Sequence, residues 1–157
     1  AGIGCEDNAN DRQPIVSGRA EIVKEGKDIV IWALGHMLHP ALEAAEELEH
    51  QGINACVINP RFIKPFDLEM LTSVVNRHIP MITIEENALP GGFGSLVAEH
   101  AIEMGHSAGM LRIGIPDGFV QHGSQKELRH LLKIDTAGLK ERIAEWLHPS
   151  VIKKVAC

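Results

Sequence analysis

Four short apolar runs, Ile29 to Leu34, Ala55 to Ile58, Met81 to Ile84 and Leu111 to Ile115, are rich in β-branched residues and bounded by Gly or Pro. Runs this short and this uniformly apolar are expected of strands buried on both faces of a sheet. Between them the apolar period changes to that of helices. Leu38, Ala41, Leu42, Ala45 and Leu48 form one face after Pro40, with Glu43, Glu46, Glu47 and Glu49 opposite as a solvated surface. Asp67 is placed to cap a second helix with the stripe Leu68, Leu71, Val74 and Val75. A third helix is expected over Phe93 to Met104, entered from Gly91 and Gly92. Ser124 and Glu127 have the spacing of a capping box before Leu128, Leu131 and Leu132, and Asp135 can cap a last helix carrying Leu139, Ile143, Trp146 and Leu147. Strands that alternate with helices predict an α/β fold: a mostly parallel sheet covered on both sides. A further piece, 19–25, reads as an edge strand because apolar and polar residues alternate there without a long apolar run.

The chain has 157 residues, 45% of them hydrophobic, enough for one domain with its own core. Residues 1–14 are polar and turn-rich and read as a linker, 15–148 as the domain, and 149–157 as a tail. Ala1 stands where an initiator Met would, as expected of a processed or cut polypeptide. With 15 Lys and Arg against 21 Asp and Glu, the net charge of -6 gives no reason to expect nucleic acid or an anionic membrane as a partner. Cys5, Cys56 and Cys157 are an odd set without C-x-x-C spacing, so neither a disulfide framework nor a zinc knuckle is supported, and a reducing, cytoplasmic setting is expected. No apolar run approaches the roughly 20 residues of a membrane span, and no signal-peptide pattern is present.

Ligands of open α/β sheets bind at the carboxyl ends of the parallel strands, and the unusual residues of this chain fall in the loops that follow those ends. They are Gly35 to His39, Pro60 to Pro65, Glu85 to Ser95 and Pro116 to Ser124. Gly91-Gly92-Phe93-Gly94-Ser95 opens a helix but lacks the Lys of a P-loop and the spacing of a dinucleotide fingerprint. A tight turn with close packing and an anion cradle both remain open there. Glu85 and Glu86 are adjacent on an extended segment and point to opposite sides. One is expected to be held by a cation or backbone amide while the other faces a partner, and Arg61 is expected to pair with one of them. His36 and His39 lack the carboxylate or Cys that would complete a local metal set, so no metal site is expected. His122 has no Ser or Cys in a nucleophile elbow beside it. The residues alone therefore give a busy edge without a self-sufficient catalytic set.

Three of these segments carry a family resemblance. Arg61-Phe62-Ile63-Lys64-Pro65-Phe66-Asp67, Thr83 to Ser95 with its Glu-Glu-Asn and glycines, and Ile115-Pro116-Asp117-Gly118-Phe119-Val120-Gln121-His122-Gly123-Ser124 resemble the transketolase-like C-terminal domain of the 1-deoxy-D-xylulose-5-phosphate synthase family. The Glu-Glu-Asn loop is shared by transketolase-like domains at large, and Pro116-Asp117-x-Phe119 with His122-Gly123-Ser124 is the narrower signature. The resemblance implies a three-layer α/β/α unit whose five-stranded, mostly parallel sheet has one antiparallel strand, here the 19–25 piece. It implies a parent enzyme that condenses pyruvate, with loss of carbon dioxide, onto glyceraldehyde 3-phosphate for isoprenoid and thiamine synthesis. Thiamine diphosphate and Mg would be bound by preceding catalytic domains, since this chain has no Gly-Asp-Gly with a following Asn. No catalytic, cofactor-binding or metal residue is assigned here, and the isolated chain is expected to be inactive. The partners implied are those preceding domains and a second subunit of a homodimer. Arg61, Glu85, Glu86, Gly91, Gly92, Asp117 and His122 are the candidate interdomain or dimer edge. Two alternatives stay open: the C-terminal part of a transketolase or 2-oxo-acid dehydrogenase β subunit, and a free-standing module that binds an anion or a protein.

Overall fold

In a computed structural model that describes residues 14–148, the apolar runs become the strands of one sheet. The expected linker, 1–14 apart from Pro14, and the tail, 149–157, lie outside the described residues. The strands are β1 (Glu21–Lys24), β2 (Ile29–Ala33), β3 (Ala55–Asn59), β4 (Met81–Ala88) and β5 (Met110–Ile115), in the order β1-β3-β2-β4-β5. β2 pairs in parallel with β3 and β4, and β4 with β5, while β1 runs antiparallel on the outside of β3. The helices are α1 (Leu38–Glu49), α2 (Leu68–Val75), α3 (Phe93–Glu103), α4 (Gln125–Leu131) and α5 (Thr136–Leu147), with a short 3-10 turn at Gly35–Met37 leading into α1.

Period-two alternation divides each central strand between two cores. Ile29, Ile31 and Ala33 of β2 face α1 and α5, where Ala41, Ala45, Leu48, Leu139 and Ile143 complete the cluster. Val30 and Trp32 face the other way, onto Leu71 and Val74 of α2 and Val97 of α3. Both faces of β2 are thus excluded from water, and all five of its residues are buried. On the second face Phe66 lies between Trp32, 5.5 Å away by ring centroid, and Phe93, 6.1 Å away and edge-on, which ties the β3–α2 loop to the start of α3.

The helix starts follow their expected caps. Asp67 accepts from the Met70 N–H at 2.9 Å, Asp135 from the Gly138 N–H at 2.9 Å, and Ser124 with Glu127 forms a reciprocal capping box. Asp67 has a second task. Its other oxygen accepts the Ala20 N–H at 2.9 Å, so the segment before β1 is fixed to the start of α2.

Three details differ from the sequence expectation. Leu68 is 43% exposed rather than part of the α2 stripe, because the first residue after the Asp67 cap lies on the outward side. α4 has no buried residue: Leu131 points to solvent, and Leu132, just past the helix, packs on the core instead. β4 continues past Ile84 through Glu85, Glu86, Asn87 and Ala88, a polar extension that an apolar run does not reveal. Among the described residues no helix is long and apolar enough to cross a membrane.

Candidate functional site

The extension of β4 carries the two glutamates past the end of the sheet core, and they have different surroundings. Glu85 is completely buried. Its Oε2 accepts the Phe93 N–H at 2.9 Å and its Oε1 accepts the Gly94 N–H at 2.8 Å. These are the first amides of α3, whose N-cap, Gly92, offers no side-chain hydrogen bond of its own. A strand carboxylate therefore caps the helix, on the end where unsatisfied N–H groups and the dipole favour negative charge.

That approach dictates the glycines. A Cβ on Gly92 would lie 2.3 Å from the Ala88 carbonyl oxygen and 2.5 Å from Glu85 Oε2, and one on Gly94 would lie 2.5 Å from Thr83 Oγ1. Gly91 has a φ of +67°, in the left-handed region. The two sequence readings of this loop thus meet in one answer. The turn and the close packing are real, and the anion at the helix start is the protein's own carboxylate.

Glu86 points to the other side. Arg129 of α4 holds it with two charge-assisted bonds, Nε to Oε1 at 2.8 Å and Nη2 to Oε2 at 2.7 Å. His36 bonds Oε2 from the 3-10 turn, and Gln125 Nε2 reaches Oε1 at 3.4 Å. The Arg129 bonds, with help from His36 and against the cost of burial, hold the Glu86 carboxyl down from 4.5 to about 2. A carboxylate with so low a pKa is a poor proton carrier near neutrality. Glu85 has both oxygens committed to backbone amides. Neither glutamate is placed for acid-base work.

The other expected edge residues are dispersed. Arg61 does not meet Glu85 or Glu86; its Nη2 lies 2.7 Å from Glu21 Oε2 on β1. The cause is the antiparallel pairing, which sets Glu21 opposite Asn59, while the Asn59 side chain accepts the Arg61 N–H at 3.0 Å and Arg61 takes a φ of +56°. Asp117 and His122 follow β5 on an exposed loop and make no hydrogen bond or ion pair among the described residues. The expected residues therefore share the carboxyl edge without forming one cluster: Glu85, Gly91 and Gly92 make one unit, Glu86 another, and Arg61 belongs to β1. Glu86, expected to face a partner, is held within the chain by Arg129 and His36 and remains partly exposed.

Sequence reasoning missed Arg129 and Gln125, and assigned His36 no partner. Arg129 is 43 residues from Glu86 and reads in sequence as one more charge on an exposed helix. Its spacing from Gln125, one helical turn along α4, was the available signal. Among the described residues no group of three or more His, Cys, Asp or Glu could hold a metal ion.

Besides a concavity of about 340 Å³ directly against Glu86 and Arg129, two others flank these locks among the described residues. One, of about 360 Å³, lies between α1, α4 and α5 and is lined by groups of both signs, among them Glu43, Lys126, Arg129 and Asp135. The other, of about 490 Å³, lies between the β3–α2 loop and the glycine loop and is mostly apolar.

The family model described as transketolase, C-terminal domain, matches residues 18–139. The chain is 37% identical over 153 residues to the 1-deoxy-D-xylulose-5-phosphate synthase of Synechococcus sp. (strain JA-2-3B'a(2-13)), covering 98% of this chain and 24% of that protein. It is 46% identical over 140 residues to 1-deoxy-D-xylulose-5-phosphate synthase 1 of Geobacter sulfurreducens, covering 88% of this chain and 22% of that one. The chain thus spans about a quarter of the length of these curated relatives. Among solved structures, a split-gene transketolase described as an inactive β4 tetramer superposes with a TM-score of 0.76 at 32% identity, over 83% of this chain and 43% of that one. A transketolase variant from Pichia stipitis superposes with a TM-score of 0.60 at 23% identity, over 82% of this chain and 18% of that one, a likeness of fold alone.

Proposed function

The chain belongs to the transketolase C-terminal domain family, and from that premise we propose that it is the C-terminal domain of a thiamine-diphosphate-dependent 1-deoxy-D-xylulose-5-phosphate synthase. The parent enzyme condenses pyruvate, with loss of carbon dioxide, onto glyceraldehyde 3-phosphate. The two quoted synthases, each covering most of this chain, favour that parent over a transketolase or a 2-oxo-acid dehydrogenase β subunit.

In this reading the domain assembles the enzyme and carries none of its chemistry. The observation that supports this best is the use of the carboxyl edge. The helix start that could hold a diphosphate already holds Glu85, and Glu86 is bound by Arg129 and His36. Among the described residues none is placed to hold thiamine diphosphate or its metal, and in this reading no reaction step runs through them. The cofactor and Mg are bound by preceding domains of the same polypeptide, which are the domain's partners together with a second subunit of a homodimer. The same occupancy weighs against a free-standing anion-binding module. The solved split-gene relative is itself described as inactive, which supports inactivity of this piece alone. A cytoplasmic enzyme accords with the three cysteines lacking a disulfide framework.

The test compares the 157-residue chain with the longer polypeptide that its coding frame specifies. The longer protein is expected to release carbon dioxide from pyruvate when supplied with glyceraldehyde 3-phosphate, thiamine diphosphate and Mg, and the chain alone is expected neither to react nor to bind the cofactor in calorimetry. Tight cofactor binding or pyruvate turnover by the chain alone would contradict the reading.

A further inference from the structure

The groove between the β3–α2 loop and the glycine loop borders the Glu85 lock, whose Gly92 and Phe93 line it, and stands apart from the Glu86 lock. Ile63, Ala88, Pro90 and Leu96 give it an apolar floor and walls, with Lys64 at one side. Ile63 is 46% exposed, a large apolar side chain left open beside other apolar groups. Both walls are held in place. Phe66 packs the first wall on Phe93 and Trp32, and Glu85 fixes the second through the Phe93 and Gly94 amides. A preformed groove loses little entropy when it is filled. Lys64 has no ion pair among the described residues, so its charge is available to an occupant.

The position of the chain upstream says which occupant. Gly18 lies against the Pro65 ring, where an added Cβ would be 2.9 Å from Cγ, and Pro65 directly follows Ile63 and Lys64. The polypeptide that leads into β1 therefore passes along the loop that forms the first wall. Ile15 and Val16, a few residues before Gly18, are 65% and 60% exposed.

We propose that this groove seats the domain that precedes Pro14 in the same polypeptide, through an apolar ridge with a carboxylate set against Lys64. The inference rests on the reading of this chain as the C-terminal part of a longer enzyme. A covalent tether arriving beside the groove gives its own domain an effective concentration in the millimolar range, ahead of a second copy or a separate protein. On the opposite side of the edge, Glu86 and Arg129 are already paired with each other and leave an occupant no free charge of their own.

The experiment uses the full-length enzyme. Ile63→Glu and Ala88→Arg place charge in the groove at two exposed positions on different walls, and Leu131→Glu places it on exposed α4 as the control. Trypsin cleavage after Arg12 reports how well the two domains stay together, and hydrogen exchange over 60–66 and 88–96 reports the groove itself. Each groove variant is expected to speed cleavage and local exchange by about tenfold, the effect of losing a central contact, with the control like the wild type. Wild-type behaviour in both groove variants, or acceleration in Leu131→Glu alone, would overturn the proposal. The parent activity is scored separately. An intact protein that makes no deoxyxylulose phosphate, yet loosens at the groove, refutes the enzyme assignment and leaves the groove standing. An active enzyme that ignores both groove charges refutes the groove alone.

Discussion

Glu85 and Glu86 are neighbours in sequence, and the two sides of β4 give them different duties. Glu85 is fully buried and serves the backbone, satisfying two amides eight and nine residues further along the chain. Glu86 is partly exposed and serves side chains that arrive from 50 residues before it and 43 after it. The first makes a loop rigid; the second fastens a helix that has no buried residue of its own. One carboxylate is thus part of the core and the other is a clasp on it. The difference follows from the pleat: one side of the strand meets the start of α3, and the other meets α4 and the 3-10 turn.

The largest effect should come from breaking the Glu85 side. Glu85→Ala leaves two buried N–H groups without an acceptor and should cost roughly 3–5 kcal/mol, read as a fall in the denaturant midpoint of the whole domain. Gly92→Ala drives a methyl into the same carboxylate and the Ala88 carbonyl oxygen, and should cost about 2–3 kcal/mol in the same measurement. A wild-type midpoint in both variants would erase the distinction between the two glutamates.

A smaller and more local effect is expected on the other side. Arg129→Ala should cost about 1–2 kcal/mol, because Glu86 retains His36 and some water, and the change should show first as faster hydrogen exchange in α4. The acid limb sharpens the comparison. Glu86 has its folded pKa lowered from 4.5 to about 2, so its contribution is complete above the ordinary carboxyl range and is lost as pH falls from 4.5 toward 2. Arg129→Ala should flatten stability over that window, whereas an unchanged acid limb would show that the clasp contributes nothing.

Much of the fold was legible because its signals are local. The runs at Ile29, Ala55, Met81 and Leu111 and the caps at Asp67, Ser124 and Asp135 each act within a few residues. The site was legible only in part. Glu85, Gly91 and Gly92 stood out from their spacing, yet the burial of Glu85 depends on a helix start being folded back onto the strand end. Apolar patterning ends β4 at Ile84, whereas hydrogen bonding carries it to Ala88. Arg61 was matched to the wrong glutamate because sequence does not show which strand lies outside β3. Arg129 was missed because its partner lies in another element. Pairings across elements are tertiary facts, and no local pattern encodes them.

The central claim is that the start of α3 already holds its anion, so the glycine loop serves the fold and not a ligand. Titrating inorganic phosphate into isotope-labelled protein while following the amide resonances of residues 91–95 tests it most directly. The Phe93 and Gly94 amides are expected to stay in place throughout the titration. A saturable shift of those two resonances, with Glu85 displaced from them, would contradict the account.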